Sequence, residues 1–201
     1  MSAAIQRPVL TLDEESHVYM LGARRLPSVT EILAGAGLVD LQWFTDAGRW
    51  RGSAVHAMCW YEDENDLDEK TLDPRLAGYL AAYRRFKAET GFVVEVNEEK
   101  VHHELLGYAG RYDKRGAFSK GAALIDLKSG AASKVTRYQT AAYVGCLPSP
   151  RKYTRMEVRL KDNGRYSLQV YEPKDFDRDF AVWQSIATVF HLRKELKCPQ
   201  S

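Results

Sequence analysis

Residues 122–128, AALIDLK, form a short apolar run that ends in charged side chains. Glycines that favour turns, Gly121 and Gly130, lie on both sides of this run, and such boundaries are typical of a buried β-strand. Side chains alternate between the two faces of a strand, so Asp126 and Lys128 point to the same face. The segment therefore predicts a strand that leaves the core at its end and presents an acid and an amine together.

A hairpin before this strand supplies a second acid. Residues 106–114 contain the β-forming side chains of Tyr108 and Tyr112 and include Asp113. The chain between Asp113 and Asp126 is long enough for a β-hairpin, in which consecutive strands lie side by side. We therefore expect the two aspartates to meet.

A helix is expected after the strand. Gly130 ends the strand, and Ser133 is a suitable N-cap residue. Gln139 and Tyr143 follow four residues apart, and this spacing places both on one helical face. That face carries an amide and a phenol close to the predicted strand end.

These three elements, in this order, resemble the PD-(D/E)XK nuclease superfamily and, within it, RecB-family exonucleases of the phage-encoded type. The family consensus is G-x-x-D, then hydrophobic-Asp-x-Lys, then Gln-x-x-x-Tyr, which corresponds here to residues 110–113, 125–128 and 139–143. An Asp-x-Lys alone occurs by chance in many chains, whereas three ordered elements are far more specific. The resemblance implies an α/β fold in which a small central mixed β-sheet is flanked by helices, with an N-terminal hairpin and helices added to the restriction-endonuclease-like core.

The length of 201 residues suits one ordinary globular domain with an ample core. We expect a single nuclease domain over residues 1–201. Within it, residues 1–91 would form an N-terminal hairpin and helices, residues 92–147 the catalytic core, and residues 148–201 a hairpin and a C-terminal helix.

The resemblance also implies a metal-dependent site. Asp113 and Asp126 would hold Mg²⁺ or Mn²⁺, as a pair of ions, because these hard cations prefer oxygen ligands. The main-chain carbonyl of Leu127 would be a further ligand, since the family uses the residue between Asp and Lys in this way. The bound cations would activate a water nucleophile and neutralise charge on the phosphate.

The other motif residues would assist this chemistry. Lys128 would orient the attacking water or help deprotonate it, and Gln139 and Tyr143 would position Lys128 or the scissile phosphate. The alternative for Asp126 and Lys128 is an ordinary ion pair at a strand end. The helix that carries Gln139 and Tyr143 favours catalysis over this alternative.

Two more ligands are implied by the family pattern. Gly52 and His56 match a G-x-x-x-H element that brings histidine to the metal, on a helix predicted over residues 43–61. The alternative is a partly buried histidine of an amphipathic helix. The family also places a glutamate shortly before the G-x-x-D aspartate, where this chain has Glu98 and Glu99. We prefer Glu99, because adjacent strand residues face opposite ways and only one can reach the site unless the backbone bulges.

DNA is the implied substrate. The net charge of +2 gives no overall basic character, so phosphate contacts have to come from local clusters. The candidate phosphate contacts near the motifs are Arg49, Arg51, Arg111, Lys114, Arg115, Lys120, Lys134 and Arg137. Tyr108, Tyr112 and Tyr138 are candidates for stacking on bases, although burial explains each equally well.

The remaining segments are expected to form the scaffold around the site. A hairpin continuing to Leu26 is expected at the N-terminus, and the capping-box pattern that begins at Ser28 marks the first helix. The acidic stretch 62–69, EDENDLDE, is expected to be a solvated linker. Residues 92–96 and 100–104 predict two strands that lead into the central hairpin.

The three cysteines, Cys59, Cys146 and Cys198, are dispersed and show no CxxC pairing, so neither a zinc knuckle nor a disulfide framework is indicated. We expect no iron–sulfur cluster, because the cluster of some relatives needs four cysteines.

Partners and location follow from what the sequence lacks. It contains no G-x-x-x-x-G-K-[ST] loop, so ATP-driven unwinding would need a helicase partner; a single-strand annealing protein is the other implied partner. It has no signal-peptide pattern and no long apolar run, so we expect no membrane association and a cytoplasmic location, in the bacterial host cell if phage-encoded. The rival functions are a structure-specific or restriction-type endonuclease and a catalytically inactive DNA-binding relative.

Overall fold

The strands of the described residues form two β-sheets. The computed structural model describes residues 8–39, 45–119, 121–131 and 133–197. The small N-terminal sheet has three antiparallel strands, β1 (Leu10–Asp13), β2 (Val18–Leu21) and β3 (Arg24–Leu26). The predicted N-terminal hairpin, continuing to Leu26, is thereby confirmed.

The larger sheet holds the strands around the sequence motifs. Within the described residues its strands follow one another in space as they do in sequence: β4 (Val93–His103), β5 (Tyr108–Phe118), β6 (Gly121–Lys128), β7 (Thr154–Leu160) and β8 (Tyr166–Tyr171). Strands β6 and β7 are parallel and the other neighbours are antiparallel, so the sheet is mixed.

Helices flank the larger sheet. They are α1 (Val29–Gly35), α2 (Asp46–Asp63), α3 (Ala77–Thr90), α4 (Thr136–Gly145) and α5 (Phe176–Lys197). The predicted cap of α1 is confirmed, because the Ser28 hydroxyl oxygen accepts a hydrogen bond from the Glu31 backbone N–H at 2.9 Å. Within the described residues, none of these helices combines the length and the apolar character that crossing a membrane requires.

Strand β6 lies in the middle of the larger sheet and is buried on both faces. Ile125 and Leu127 pack against α2 and α3, whereas Leu124 packs with side chains of α1, α4 and α5. A strand that is covered on both faces requires such an apolar run. The sheet is therefore a central layer between helices, and the predicted α/β architecture is confirmed. The expected division of the chain into three parts stays a prediction.

Strand β4 is continuous, whereas the sequence predicted two separate strands there. Asn97 and Glu99 both pair with β5. Glu98, between them, has a left-handed backbone with φ of 51°. The sequence feature that indicated a break is therefore a local irregularity inside one strand.

Helix α2 ends later than predicted. It runs from Asp46 to Asp63, and the predicted start at Trp43 lies outside the described residues. The prediction that residues 62–69 are a solvated linker is wrong for Asp63, whose side chain is only 3% exposed. The last residue of α2 is therefore part of the interior.

The start of α4 also differs from the prediction. The helix begins at Thr136, and the preceding Val135 makes no side-chain cap. Ser133 accepts only a long hydrogen bond of 3.4 Å from the Val135 backbone N–H. The prediction of Ser133 as the N-cap is therefore wrong: the N-cap position lies at Val135, further along the chain.

A buried ion pair fixes α5 against β7. Arg155 Nη2 lies 2.8 Å from Asp179 Oδ2, and both side chains are almost fully buried. Arg137 Nη2 lies 2.9 Å from the other oxygen of Asp179. Burial favours the neutral acid, but the Arg155 and Arg137 guanidinium groups outweigh it and lower the pKa of Asp179. The carboxylate therefore stays charged in the interior.

We expect Asp179→Ala to lower the free energy of unfolding by about 3–5 kcal/mol, because it leaves the Arg155 guanidinium buried without its counter-charge. Asp177→Ala is the matched control on the same helix: its pair with Arg151, at 2.9 Å, is largely exposed, so its loss should change stability little. Denaturant unfolding of both variants measures the difference. Equal losses would contradict a stabilising role for the Arg155–Asp179 pair.

Candidate metal centre

Three side chains from three separate segments meet at one edge of the larger sheet. His56 comes from α2, Glu98 from β4 and Asp113 from β5, and their ligand atoms all lie within 4.8 Å of one another. His56 Nδ1 is 3.6 Å from Glu98 Oε1 and 3.5 Å from Asp113 Oδ1. A nitrogen and carboxylate oxygens at such distances form a group that can hold a divalent cation.

Backbone geometry decides which of the two adjacent glutamates reaches this group. Glu98 lies opposite Asp113, and its left-handed φ of 51° interrupts the regular pairing with β5. Glu99 is 45% exposed at the side chain and accepts a hydrogen bond from the Tyr112 hydroxyl. The structure therefore brings Glu98, and not the preferred Glu99, into this group.

The main chain of Leu127 lies between the acid and the histidine. Its N–H donates a hydrogen bond of 2.6 Å to Asp113 Oδ2. Its carbonyl oxygen lies 3.1 Å from His56 Nε2, so that nitrogen donates to it. The carbonyl that the family pattern implies as a ligand thus lies beside His56, at the ring nitrogen opposite to the one that faces Glu98 and Asp113.

Asp126 and Lys128 meet beside this group, as the alternation of a strand predicts. Lys128 Nζ lies 2.6 Å from Asp126 Oδ2. Asp126 is buried, and the Lys128 ammonium is the ion-pair partner of its Oδ2. Because a buried carboxylate is costly unless a positive charge lies beside it, the Asp126 position suits a cation.

Asp126 and Lys128 each change the pKa of the other. Burial raises the pKa of Asp126 to about 6, against the opposing effect of Lys128. For Lys128, burial acts in the other direction, but the carboxylates of Asp126 and Asp113 outweigh it and raise the pKa of the ammonium. Lys128 is therefore a cation at neutral pH.

The neighbouring carboxylates also change the pKa of His56. Burial by itself lowers the pKa of an imidazole, but the carboxylates of Asp113, Glu98 and Asp126 outweigh it and raise the pKa of His56 to about 9. The proton on the ring offsets part of the negative charge of the acids. A bound cation would take over that task, since metal ligation requires the neutral imidazole.

Gln139 and Tyr143 lie on one face of α4 at the back of the site. Gln139 Nε2 donates a hydrogen bond of 3.2 Å to the Tyr143 hydroxyl. The Tyr143 ring packs directly on Gly110, where an added Cβ would lie 2.5 Å from a ring carbon. The glycine of the G-x-x-D element is therefore required for close packing of strand and helix.

The candidate phosphate contacts separate into two groups. Arg111 lies in the cleft beside the metal centre, 2.9 Å from Glu98. Arg51 is half-buried with an unpartnered Nε among the described residues, and Lys134 is exposed. Arg137 instead binds the buried Asp179, and Lys114 is only 2% exposed. The buried position of Lys114 contradicts a phosphate contact there, whereas the contact at Arg137, whose side chain is 31% exposed, stays a prediction. Lys120 lies outside the described residues.

An open cleft of about 1320 Å³ leads to the metal centre. Tyr108 and Tyr112 are fully buried, so of the two explanations for these tyrosines burial holds and stacking on bases does not. Trp60 and Tyr61 line the cleft instead and are 37% and 42% exposed. The sequence signal for Trp60 was its position one helical turn after His56, which places both on the same face of α2.

The donor set suits magnesium or manganese. It combines carboxylates, a main-chain carbonyl and one imidazole, and the nitrogen ligand favours manganese somewhat. Cys59 is fully buried, and Cys59 and Cys146 are free thiols. Cys198 lies outside the described residues.

No protein-family model matches this chain, and no curated protein sequence matches it. Solved structures with some similarity include the alkaline exonuclease LHK-Exo in complex with dAMP, which is 15% identical over 86% of this chain and 89% of that one, with a TM-score of 0.41. A structure of LHK-Exo from Laribacter hongkongensis is 15% identical over 85% and 88%, with a TM-score of 0.38. SSO0001 is 14% identical over 73% and 84%, with a TM-score of 0.34. At such low identities and TM-scores, function has to be argued from the side chains of the site.

We expect Glu98→Gln to raise the dissociation constant for Mn²⁺ by at least about tenfold, because it removes a charged ligand from the centre. Glu99→Gln is the matched control: the adjacent side chain faces Tyr112 and should leave Mn²⁺ affinity unchanged. Titration of Mn²⁺ followed by electron paramagnetic resonance measures both constants. A larger effect at Glu99 than at Glu98 would overturn the assignment.

Proposed function

We propose that this chain is a divalent-metal-dependent DNA exonuclease, which hydrolyses phosphodiester bonds at a DNA end. The observation that carries the proposal is the meeting of His56, Glu98 and Asp113 beside the Asp126–Lys128 pair at the end of an open cleft. Acids, an imidazole and an ammonium in one place are the groups that metal-assisted phosphodiester hydrolysis needs.

The metal would be held by the carboxylates of Asp113, Asp126 and Glu98, by the imidazole of His56 and by the carbonyl of Leu127. Mg²⁺ or Mn²⁺ bound there supplies an activated water and neutralises charge on the phosphate. The acids are held ready by their surroundings, since Asp113 accepts from the Leu127 N–H at 2.6 Å.

Lys128 has a role that the ion pair alone does not require. Its side chain is 28% exposed, so Lys128 is not sealed inside the protein by its pair with Asp126. As a cation, Lys128 can donate a hydrogen bond to the oxygen of a water molecule but cannot accept one, and this orients the water. Its positive charge also offsets negative charge that develops on the phosphate. Gln139 and Tyr143 support this end of the site from α4.

Substrate contacts extend from the metal centre along α2. Arg51, Arg111 and Lys134 are the cations available for phosphates. Trp60 presents an aromatic ring one turn from His56, on which a base can stack only after it has left the duplex. Unpaired bases are most accessible at a DNA end, and this supports exonuclease over endonuclease activity.

The biological setting stays a prediction. The resemblance of the motifs implies recombination or repair of phage or bacterial DNA, with a single-strand annealing protein or a helicase as partner.

We expect cleavage of linear DNA to require Mg²⁺ or Mn²⁺ and to stop in excess EDTA. Lys128→Ala and Asp126→Asn should each reduce kcat by about 10²–10⁴-fold, because they remove a group from the reacting centre. Melting temperature and circular dichroism should show folded protein in both cases. Lys174→Ala, an exposed lysine in a turn before α5, is the control and should keep its activity. Cleavage by Lys128→Ala at the wild-type rate would refute the proposed site.

End-labelled linear DNA and covalently closed circular DNA separate the two nuclease classes. An exonuclease should release mononucleotides or short products from the linear substrate and leave the closed circle intact. Nicking or linearisation of the circle at a comparable rate would identify an endonuclease instead. No cleavage of either substrate, with DNA binding retained, would point to the inactive DNA-binding relative.

A further inference from the structure

A buried ammonium lies directly behind the metal centre. Lys114 on β5 is 2% exposed, and its Nζ lies 2.6 Å from Asp63 Oδ2, 2.7 Å from Asn97 Oδ1 and 3.4 Å from the Cys59 carbonyl oxygen. An ammonium has three N–H donors, so each of them has an acceptor. The group is saturated by protein atoms and is not available to substrate.

The acceptor Asp63 is itself held from several sides. The Tyr83 hydroxyl donates to it at 2.8 and 2.9 Å, and Lys87 Nζ lies 2.8 Å from its Oδ1. These contacts tie α3 to the same carboxylate. Asp63 therefore stays a well-bound acceptor even without Lys114.

The contacts of Lys114 reach the three segments that carry His56, Glu98 and Asp113. Lys114 itself follows Asp113 on β5, and Asn97 precedes Glu98 on β4. Asp63 and Cys59 belong to α2, the helix of His56. One ammonium thus connects the helix and the two strands that carry these three candidate ligands.

We infer that Lys114 is a positioning residue for the metal centre, which sets the distance of α2 and β4 from β5 and so the spacing of His56, Glu98 and Asp113. This inference rests on the proposed metal-dependent function. It assigns Lys114 a task different from the phosphate contact that its position in the sequence suggested.

Energetics favour positioning over simple stabilisation. Removing an ammonium from water is costly, and replacing a buried ion pair by uncharged groups of similar size is often neutral or even stabilising. Apolar packing alone also leaves the relative position of a helix and a strand less sharply defined than directed hydrogen bonds do. A lysine at this point is explained if the distance between α2 and the strands matters.

The distance matters because α2, the helix that Lys114 contacts, also carries His56. His56 and Asp63 are seven residues, or about 10 Å, apart along the helix axis. His56 Nε2 already contacts the Leu127 carbonyl at 3.1 Å, so a shift of α2 changes the spacing of the ligands directly. Small errors of position are expensive for metal binding and for catalysis.

The test separates position from stability with a paired replacement. Lys114→Met together with Asp63→Asn removes both charges, keeps similar volumes and keeps an acceptor for the Tyr83 hydroxyl. Asn97→Ala is a milder variant at a half-buried position: it removes the contact of Lys114 to β4 and, with it, the 3.1 Å hydrogen bond that Asn97 Nδ2 donates to Glu64 at the end of α2. Lys161→Met, an exposed lysine in the turn between β7 and β8, is the control.

We expect the paired variant to melt close to wild type but to bind Mn²⁺ at least about tenfold more weakly and to lose kcat by a similar factor, with little change in KM for DNA. Asn97→Ala should weaken Mn²⁺ binding in the same direction, and by less. The control should match wild type in each measurement.

Wild-type Mn²⁺ affinity and kcat in both Asn97→Ala and the paired variant would overturn the inference while leaving the proposed function intact. If the paired variant does not fold, Asn97→Ala decides alone. A wild-type protein that neither binds Mn²⁺ nor cleaves DNA overturns the proposed function and this inference with it.

Discussion

The burial of β6 on both faces is the constraint on which the rest of the structure depends. A strand in that position needs a partner on each side, and the parallel partner β7 can be reached only by a crossover connection. That connection contains α4, so the helix with Gln139 and Tyr143 must lie over the sheet next to the charged end of β6. The burial of β6 on both faces therefore determines the position of the site as well as that of the core.

The site concentrates negative charge and balances it locally. Glu98, Asp113 and Asp126 would repel one another if all three were ionised without a counter-charge. His56, Lys128 and Arg111 are each within ion-pair distance of at least one of these acids. These three cations thereby offset the negative charge of the acids. Such an arrangement suits a centre in which a bound metal would replace protons and side-chain cations as the counter-charge.

Local patterns predicted the parts of the site that depend on local geometry. The strand of Asp126 and Lys128 and the helical face of Gln139 and Tyr143 follow from periods of two and of about four residues. Contacts between distant segments were not accessible in this way. Nothing near Asp63 or Arg137 in sequence shows that their partners, Lys114 and Asp179, lie 51 and 42 residues away.

The backbone conformation of Glu98 could not be predicted from the sequence, and it affects how this position can change. Its backbone adopts a left-handed conformation that favours glycine or asparagine over glutamate. The chain holds this strained residue at the point where its carboxylate faces His56 and Asp113. Selection of variants for heat resistance alone would therefore tend to replace this glutamate by glycine or asparagine. Thermal robustness and a complete ligand set thus make opposing demands on position 98.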